Sequence, residues 1–424
     1  MATTYTGQED LPFNDMLKVF MPFDLLNEEM KKRNYFWNKV PKDENWFGGS
    51  MQVPFEGGEY SSLSFGNLTA SDDIAEGKYV LGTVTNYREL WGTMIFYEKD
   101  LDLHGNMQAS FLSILPGKLN QFLSRMAERV SHTLLNGAWI DTFTADGGDA
   151  GTGIINVNHP ERFTIGEKVY IDDDDSTAGY SYVISIDMNA KTITVSTARG
   201  GAASNTVTGS DGALTDMTTA QNAKLYTPGA QPGTAVAFTS LRSQLLSSTN
   251  GGDATIFGET KTTYPYLQAQ NIDGSAITAA NILDSLFDAY YEVVTLGKGN
   301  PTEMIMHLSH FAECAKTLEV NKRYTKGDTS GGYGWRKLSV LGPEGELTLT
   351  GIRDIDTDVI LVMDWSALKF YGSHFFDRKR HGGNEEYFMS RAASGYTYIV
   401  DIRLFGELVV HAPSHCGIIH TISY

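Results

Sequence analysis

The residues with most chemical potential lie near the end of the chain, where His411, His415, Cys416 and His420 crowd together. Imidazole and thiolate are ligands suited to Zn²⁺. Pro413, however, breaks any helix that would align His411 with His415. A matching ligand pair elsewhere is missing, because Cys314 falls on the apolar stripe of a helical pattern. These side chains therefore read as ordinary residues near a sheet edge. A second cluster, Asp172-Asp173-Asp174-Asp175, sits between two β-prone runs, with Asp146 and Asp149 in a nearby glycine-rich loop. Alternate aspartates offer hard oxygen ligands to Ca²⁺, but the pattern with Gly at six and Glu at twelve is absent. The run reads as a solvated acidic turn. The loop DGGDAGTG (146–153) lacks the Lys-Ser/Thr of a phosphate loop and is followed by a strand pattern rather than a helix. Neither G-x-S-x-G nor H-E-x-x-H occurs. Lys31-Lys32-Arg33 and Arg378-Lys379-Arg380 are short, flanked by acids, and read as salt-bridging groups rather than phosphate holders. Nothing assembles a nucleophile, a base and an orienting group. The expectation is a protein that is not an enzyme, with no catalytic, cofactor-binding or metal residues.

Composition narrows the class further. At 424 residues the chain is long enough for two to three domains without staples. Fifty-one acidic residues against 33 basic ones leave a net charge of −18, which argues against a primary binder of nucleic acid or anionic membrane. Two cysteines are too few for a disulfide framework. The start, MATTYTGQEDLPFNDM, lacks a basic and then apolar leader, and no apolar run reaches the length of a membrane span. A soluble protein made in the cytoplasm is expected.

The elements that carry these residues have distinct textures. Residues 1–48 form an arm. A first short helix is expected there around Met16, Val19 and Phe20, capped by Asn14 or Asp15, and a second polar helix over Leu25 to Asn38. From Met51 to about Leu101 short β-prone runs alternate with glycine turns, and the span reads as a long exposed hairpin-like excursion. Leu119, Phe122, Leu123, Met126, Val130 and Leu134 then recur at helical spacing, predicting a helix over 118–137 that stops at Asn136-Gly137. Two more helices are predicted near Thr278–Gly297 and from Ser309. Between the first and second of these helices, FTIGEKVYI, YSYVISID and TITVST predict antiparallel strands, and 200–223 reads as a loop. Residues 154–226 are thus an inserted β-module. Strands return at VILVMDW (359–365), LKFYG (368–372) and YTYIVDIRLFGELVV (396–410).

This order resembles the major capsid proteins of tailed bacteriophages, the Hong Kong 97 type of fold. The match runs through an arm, the pre-helix stretch YRELWGTMIFYEKDL (87–101), the long helix, the inserted strands FTIGEKVYI…YVISIDMNAKTITVST, and LTGIRDIDTDVILVMDWSALKFY (349–371). The resemblance implies an α+β fold with N-arm, E-loop, spine helix, axial domain and an inserted β-module. Its domains would be an N-terminal arm 1–50, an E-loop 51–101, a peripheral domain with spine helix 102–153, an inserted β-domain 154–226, and axial and remaining peripheral strands 227–424. It implies a structural head protein that self-assembles into hexamers and pentamers around packaged double-stranded DNA, as part of a virion capsid made in the host cytoplasm. Trp91, Phe96 and Tyr97 would then be subunit-interface residues on the exposed E-loop. Separate scaffolding and portal proteins, and decoration proteins, would be partners. With only about fifty residues before the E-loop, scaffolding is expected on another chain. Relatives that cross-link a lysine to an asparagine raise Lys78 and Lys99 by position, but no residue pattern supports the bond. The competing reading is a β-rich secreted or surface carbohydrate-binding or carbohydrate-active protein, in which aromatics stack on sugars. A tail-tube or sheath protein is a third reading, opposed by the single long helix.

Overall fold

An asparagine decides the first local structure. Asn34 is extended, and its side-chain oxygen accepts the Trp37 N–H at 2.9 Å, so it ends one helix, Phe23–Arg33, and caps the next, Tyr35–Lys39. The single helix expected over Leu25 to Asn38 is therefore two, because asparagine competes for backbone groups where a cap is available. The structure, a computed structural model, describes residues 23–46, 49–56, 79–85, 88–97, 107–144, 153–172, 179–204, 224–230, 237–321, 338–342, 345–372, 375–378, 389–391 and 397–423. The helix expected around Met16 lies outside them. The chain divides into two compact units, residues 132–240 and the remainder.

In the larger unit a six-stranded sheet is built on Thr397–Val410, which pairs with Arg88–Tyr97, Leu368–Tyr371, Phe376–Arg378 and Met389–Arg391; Lys42–Asp43 adds in parallel to Leu368–Tyr371. Trp37 is fully buried here, edge-on to Phe370, Phe375 and Phe376 at 4.9, 5.8 and 5.2 Å. Lys42 lies 4.6 Å over the Trp37 ring and donates to the Val40 carbonyl at 3.0 Å; burial lowers its pKa to about 8.

A second six-stranded sheet runs in the order Gln270–Asp273, Gly417–His420, Ile360–Met363, Glu303–His307, Gly345–Ile352, Leu338–Gly342. It is mixed: Glu303–His307 is parallel to Gly345–Ile352 and antiparallel to Ile360–Met363. The helices Ile282–Thr295 and Leu308–Asn321 bury Ile282, Leu286, Tyr290, Val293 and Cys314 against Met304, Met306 and Val362. Ile360–Met363 and Gly417–His420 are buried at every position, as the unbroken apolar runs require.

The long helix spans Met107–Leu135 and so begins well before the predicted 118. Pro116 and Gly117 lie inside it, although the local rule would break the helix there. Met126 and Val130 are buried and Phe122 is half-buried. Phe122 lies against Gly92, where an added Cβ would come within 2.5 Å of the ring.

One glycine is required by two separate constraints. Gly406, within Thr397–Val410, has φ +149°, and a Cβ there would lie 2.2 Å from the Tyr371 carbonyl oxygen. A backbone atom cannot swing aside as a side chain can. Gly406→Ala is therefore expected to cost roughly 2–3 kcal/mol. Urea titration followed by tryptophan fluorescence checks this, and an unchanged midpoint would contradict it.

The smaller unit holds a closed barrel of six strands in the cyclic order Lys224–Tyr226, Trp139–Thr144, Ile154–Val157, Thr192–Ser196, Gly179–Asp187, Lys168–Asp172. Ile140, Phe143, Val169, Val183, Ile193 and Leu225 lie in its apolar interior. Outside, Trp139, Tyr226, Tyr170 and Tyr180 fall in register across four strands, with Lys168 Nζ 3.6 Å from the Tyr180 centroid and Lys224 4.2 Å from that of Trp139. The expected module, 154–226, holds five of these strands; the barrel also takes Trp139–Thr144, whose pairing with Lys224–Tyr226 closes it. That short strand directly follows the helix-ending Asn136-Gly137, and its local sequence associates it with the helix.

Candidate interaction surface

Ser50–Glu56 and Tyr79–Thr85 form an antiparallel ribbon in continuous register, from Ser50 opposite Thr85 to Glu56 opposite Tyr79. Its two faces differ. Val53, Phe55 and Val84 are buried against Trp46, Ile256, Leu267 and Val409. The opposite face presents Tyr79 and Leu81, exposed at 68% and 54%. Pro54 is compatible with this ribbon because its carbonyl, which accepts from His411 Nδ1 at 3.1 Å, faces away from the partner strand. Its missing N–H is therefore not one the ladder needs.

Arg88–Tyr97 also alternates, and here the structure corrects the expectation of an exposed excursion. The strand pairs along its whole length with Thr397–Val410, from Tyr97 opposite Thr397 to Arg88 opposite Gly406. Phe96 is 1% exposed, with Lys118 Nζ 5.2 Å from its ring centroid, so it is core and not a surface group. Trp91 and Tyr97 lie on the other face, exposed at 42% and 48%, with Ile95 between them. Period-two alternation places residue 96 opposite 91 and 97, a signal already present in the sequence. The exposed face carries its own polar pattern. Trp91 Nε1 donates to Glu89 at 2.8 Å, Arg403 lies 5.7 Å from the Trp91 centroid, and Thr93 donates to Asp401 at 2.8 Å. Exposed tryptophan and tyrosine beside arginine are the side chains enriched at the centres of protein interfaces.

The residues considered for metal or phosphate chemistry go elsewhere. His411 contacts Tyr371 Oη at 2.7 Å, His415 lies 3.5 Å from Glu56, and His420 contacts Asn250 at 3.0 Å. Cys416 lies 4.0 Å from the Asp364 carbonyl, and Cys314 lies 4.0 Å from Met306 sulfur; burial pushes both thiols up to about 12. Among the described residues no group of three or more His, Cys, Asp or Glu side chains is arranged to hold a metal ion. Lys31 and Lys32 pair with Glu28 and Glu29 at 2.7 and 2.8 Å. Arg33 donates to Ser124 and Asn120 on the long helix at 2.6 and 2.5 Å. Asp173 to Asp175, Asp146, Asp149, Lys78, Lys99, Lys379 and Arg380 lie outside the described residues.

A buried carboxylate escaped the sequence reading. Glu303 opens an apolar strand and accepts from Tyr35 and Thr350 through one oxygen, and from Trp365 Nε1 at 2.9 Å through the other. Lys39 is 3.8 Å away. Burial first, then the carboxylate beside it, raises the Tyr35 phenol to about 12. The group joins the helix Tyr35–Lys39 to the second sheet. Its only sequence signal is a lone acid before Met304, Ile305 and Met306.

The sequence matches no known protein-family model and no curated protein. Solved capsids are similar in structure. The capsid of a native GTA particle aligns with TM-score 0.46 and 9% identity over 91% of this chain and 89% of that one. The capsid of Cyanophage A-1(L) aligns with TM-score 0.44 and 9% identity, covering 91% of each chain. The procapsid of satellite phage P4 aligns with TM-score 0.43 and 11% identity, over 99% of this chain and 98% of that one.

Proposed function

We propose that this chain is a tailed-phage major capsid protein, a structural subunit that assembles into hexamers and pentamers and encloses double-stranded DNA. The observation that carries the reading is the pair of two-faced β-surfaces on one subunit. The ribbon and the strand Arg88–Tyr97 each bury one face in their own subunit and leave apolar groups on the other: Tyr79 and Leu81, and Trp91, Ile95 and Tyr97. Two different apolar patches on one chain favour a heterologous contact, patch to unlike patch, and such contacts close into rings when the rotation permits. The ribbon is the E-loop of this reading, and the occupant of each patch is a second copy of the chain. The six-stranded barrel is its inserted domain, with a separate core and a place at the particle surface. The net charge of −18 supports an inner wall that holds DNA without gripping it. Scaffolding, portal and decoration proteins complete the partner set, and synthesis is in the host cytoplasm.

The test uses two variants of the full chain. Leu81→Asp places a charge on the exposed ribbon face and is expected to leave the fold intact, within about 0.5 kcal/mol. Sedimentation should then show loss of shell-sized species and capsomers. Trp91→Ala, on the other patch, should weaken assembly in the same way. Normal particles from both variants would overturn the reading, as would a wild-type chain that stays monomeric at high concentration.

A further inference from the structure

We infer that His411 is a proton-operated latch that holds the ribbon Ser50–Glu56/Tyr79–Thr85 on its own subunit. Three contacts from 411–415 reach one strand of the ribbon. His411 Nδ1 meets the Pro54 carbonyl at 3.1 Å, the His411 carbonyl accepts the Glu56 N–H at 3.3 Å, and His415 Nε2 lies 3.5 Å from the Glu56 carboxylate. The imidazole also packs 6.2 Å from the Phe55 ring, centroid to centroid.

The partners fix the tautomer. A carbonyl only accepts, so Nδ1 carries the proton toward Pro54. Nε2 is then bare in the neutral ring and accepts from the Tyr371 hydroxyl at 2.7 Å. A second proton on Nε2 would force that hydroxyl to turn from donor to acceptor. Ionisation of the phenol cannot ease this, since burial pushes Tyr371 up to about 12.

The charged groups acting on the ring are Lys369 and Asp43, paired with each other at 3.2 Å, while Glu56 and His415 pair with each other beside the same strand. Burial first, and then Lys369, hold the imidazole below its ordinary value, against the opposing pulls of the Pro54 contact and Asp43. The docked ribbon thus prefers neutral His411. Its hold is complete above the free-histidine range near 6.5 and is lost as pH falls through the lowered docked value. His415 and Glu56 form a second contact beside the ring, but that pair is partly exposed and screened.

The latch belongs to the single subunit and stands apart from assembly; only its use, setting the ribbon free to change partners, rests on the capsid reading. Hydrogen exchange of the unassembled full chain, corrected for intrinsic pH dependence, tests it. Amides of 50–56 and 79–85 should exchange severalfold faster at pH 5.5 than at 7.5, while Ile360–Met363 stays protected. His411→Asn keeps a donor toward Pro54 and should flatten the profile; His415→Gln should leave it in place. A wild-type ribbon with no such acceleration overturns the latch even if the His411 variant does not fold. So does acceleration that persists in a folded His411→Asn protein.

Discussion

Glu303→Ala is expected to lower the unfolding free energy by about 3–5 kcal/mol, since it strips a shared acceptor from several donors at once. Tyr35, Thr350 and Trp365 all donate to this carboxylate, and Lys39 stands beside it. The alanine leaves those donors without their shared acceptor. Glu303→Gln should fall between, because its amide oxygen still accepts on one side while its NH₂ meets donors on the other. Urea titrations of the three proteins, read by fluorescence, provide the comparison. A loss under about 1 kcal/mol for the alanine variant would mean that solvent replaces the carboxylate and that the joint between the helix Tyr35–Lys39 and the sheet lies elsewhere.

The second large effect concerns where the barrel can be cut. Replacing 154–226 with a Gly/Ser linker removes five strands and leaves Trp139–Thr144 without partners on either side. Ile140 and Phe143, fully or nearly fully buried in the intact barrel, would then face water. Each exposes apolar surface worth about 1.5–3 kcal/mol, on a strand with two open edges. That protein is expected to aggregate. A cut that removes 139–226 takes the whole barrel and should leave a soluble, folded remainder. Sedimentation of the two proteins separates the outcomes; equal solubility, or unfolding of the longer deletion, would contradict a barrel with its own closed core.

The parts legible in the sequence are those fixed by neighbours along the chain. The stripe from Leu119 to Leu134 marks a helix because each member lies three or four residues from the next. Thr192–Ser196 alternates visibly, and Ile193 and Val195 do point inward. The failures depend on distant residues. The burial of Phe96 follows from pairing with Thr397–Val410, about three hundred residues away in sequence, and no local window contains that partner. The start of the long helix was hidden by Pro116, whose local rule says stop while the observed helix runs on toward Met107. Nothing local marks Glu303 as a buried acceptor, because its three donors come from residues 35, 350 and 365. Of the proposed contact groups, Trp91 and Tyr97 were found from type alone, whereas Tyr79 and Leu81 needed the ribbon's register to show which face each occupies.

The two sunken thiols have a consequence for the protein's redox life. A thiol of pKa about 12 is ionised in roughly one molecule in ten thousand at pH 8, and the thiolate is the form that attacks disulfides and meets oxidants. Cys314 and Cys416 are both buried, so access is restricted as well as ionisation. Glutathione, peroxide and air therefore find almost nothing to react with at either sulfur while the fold persists. A move from a reducing to an oxidising environment therefore leaves both sulfurs as thiols for as long as the fold persists.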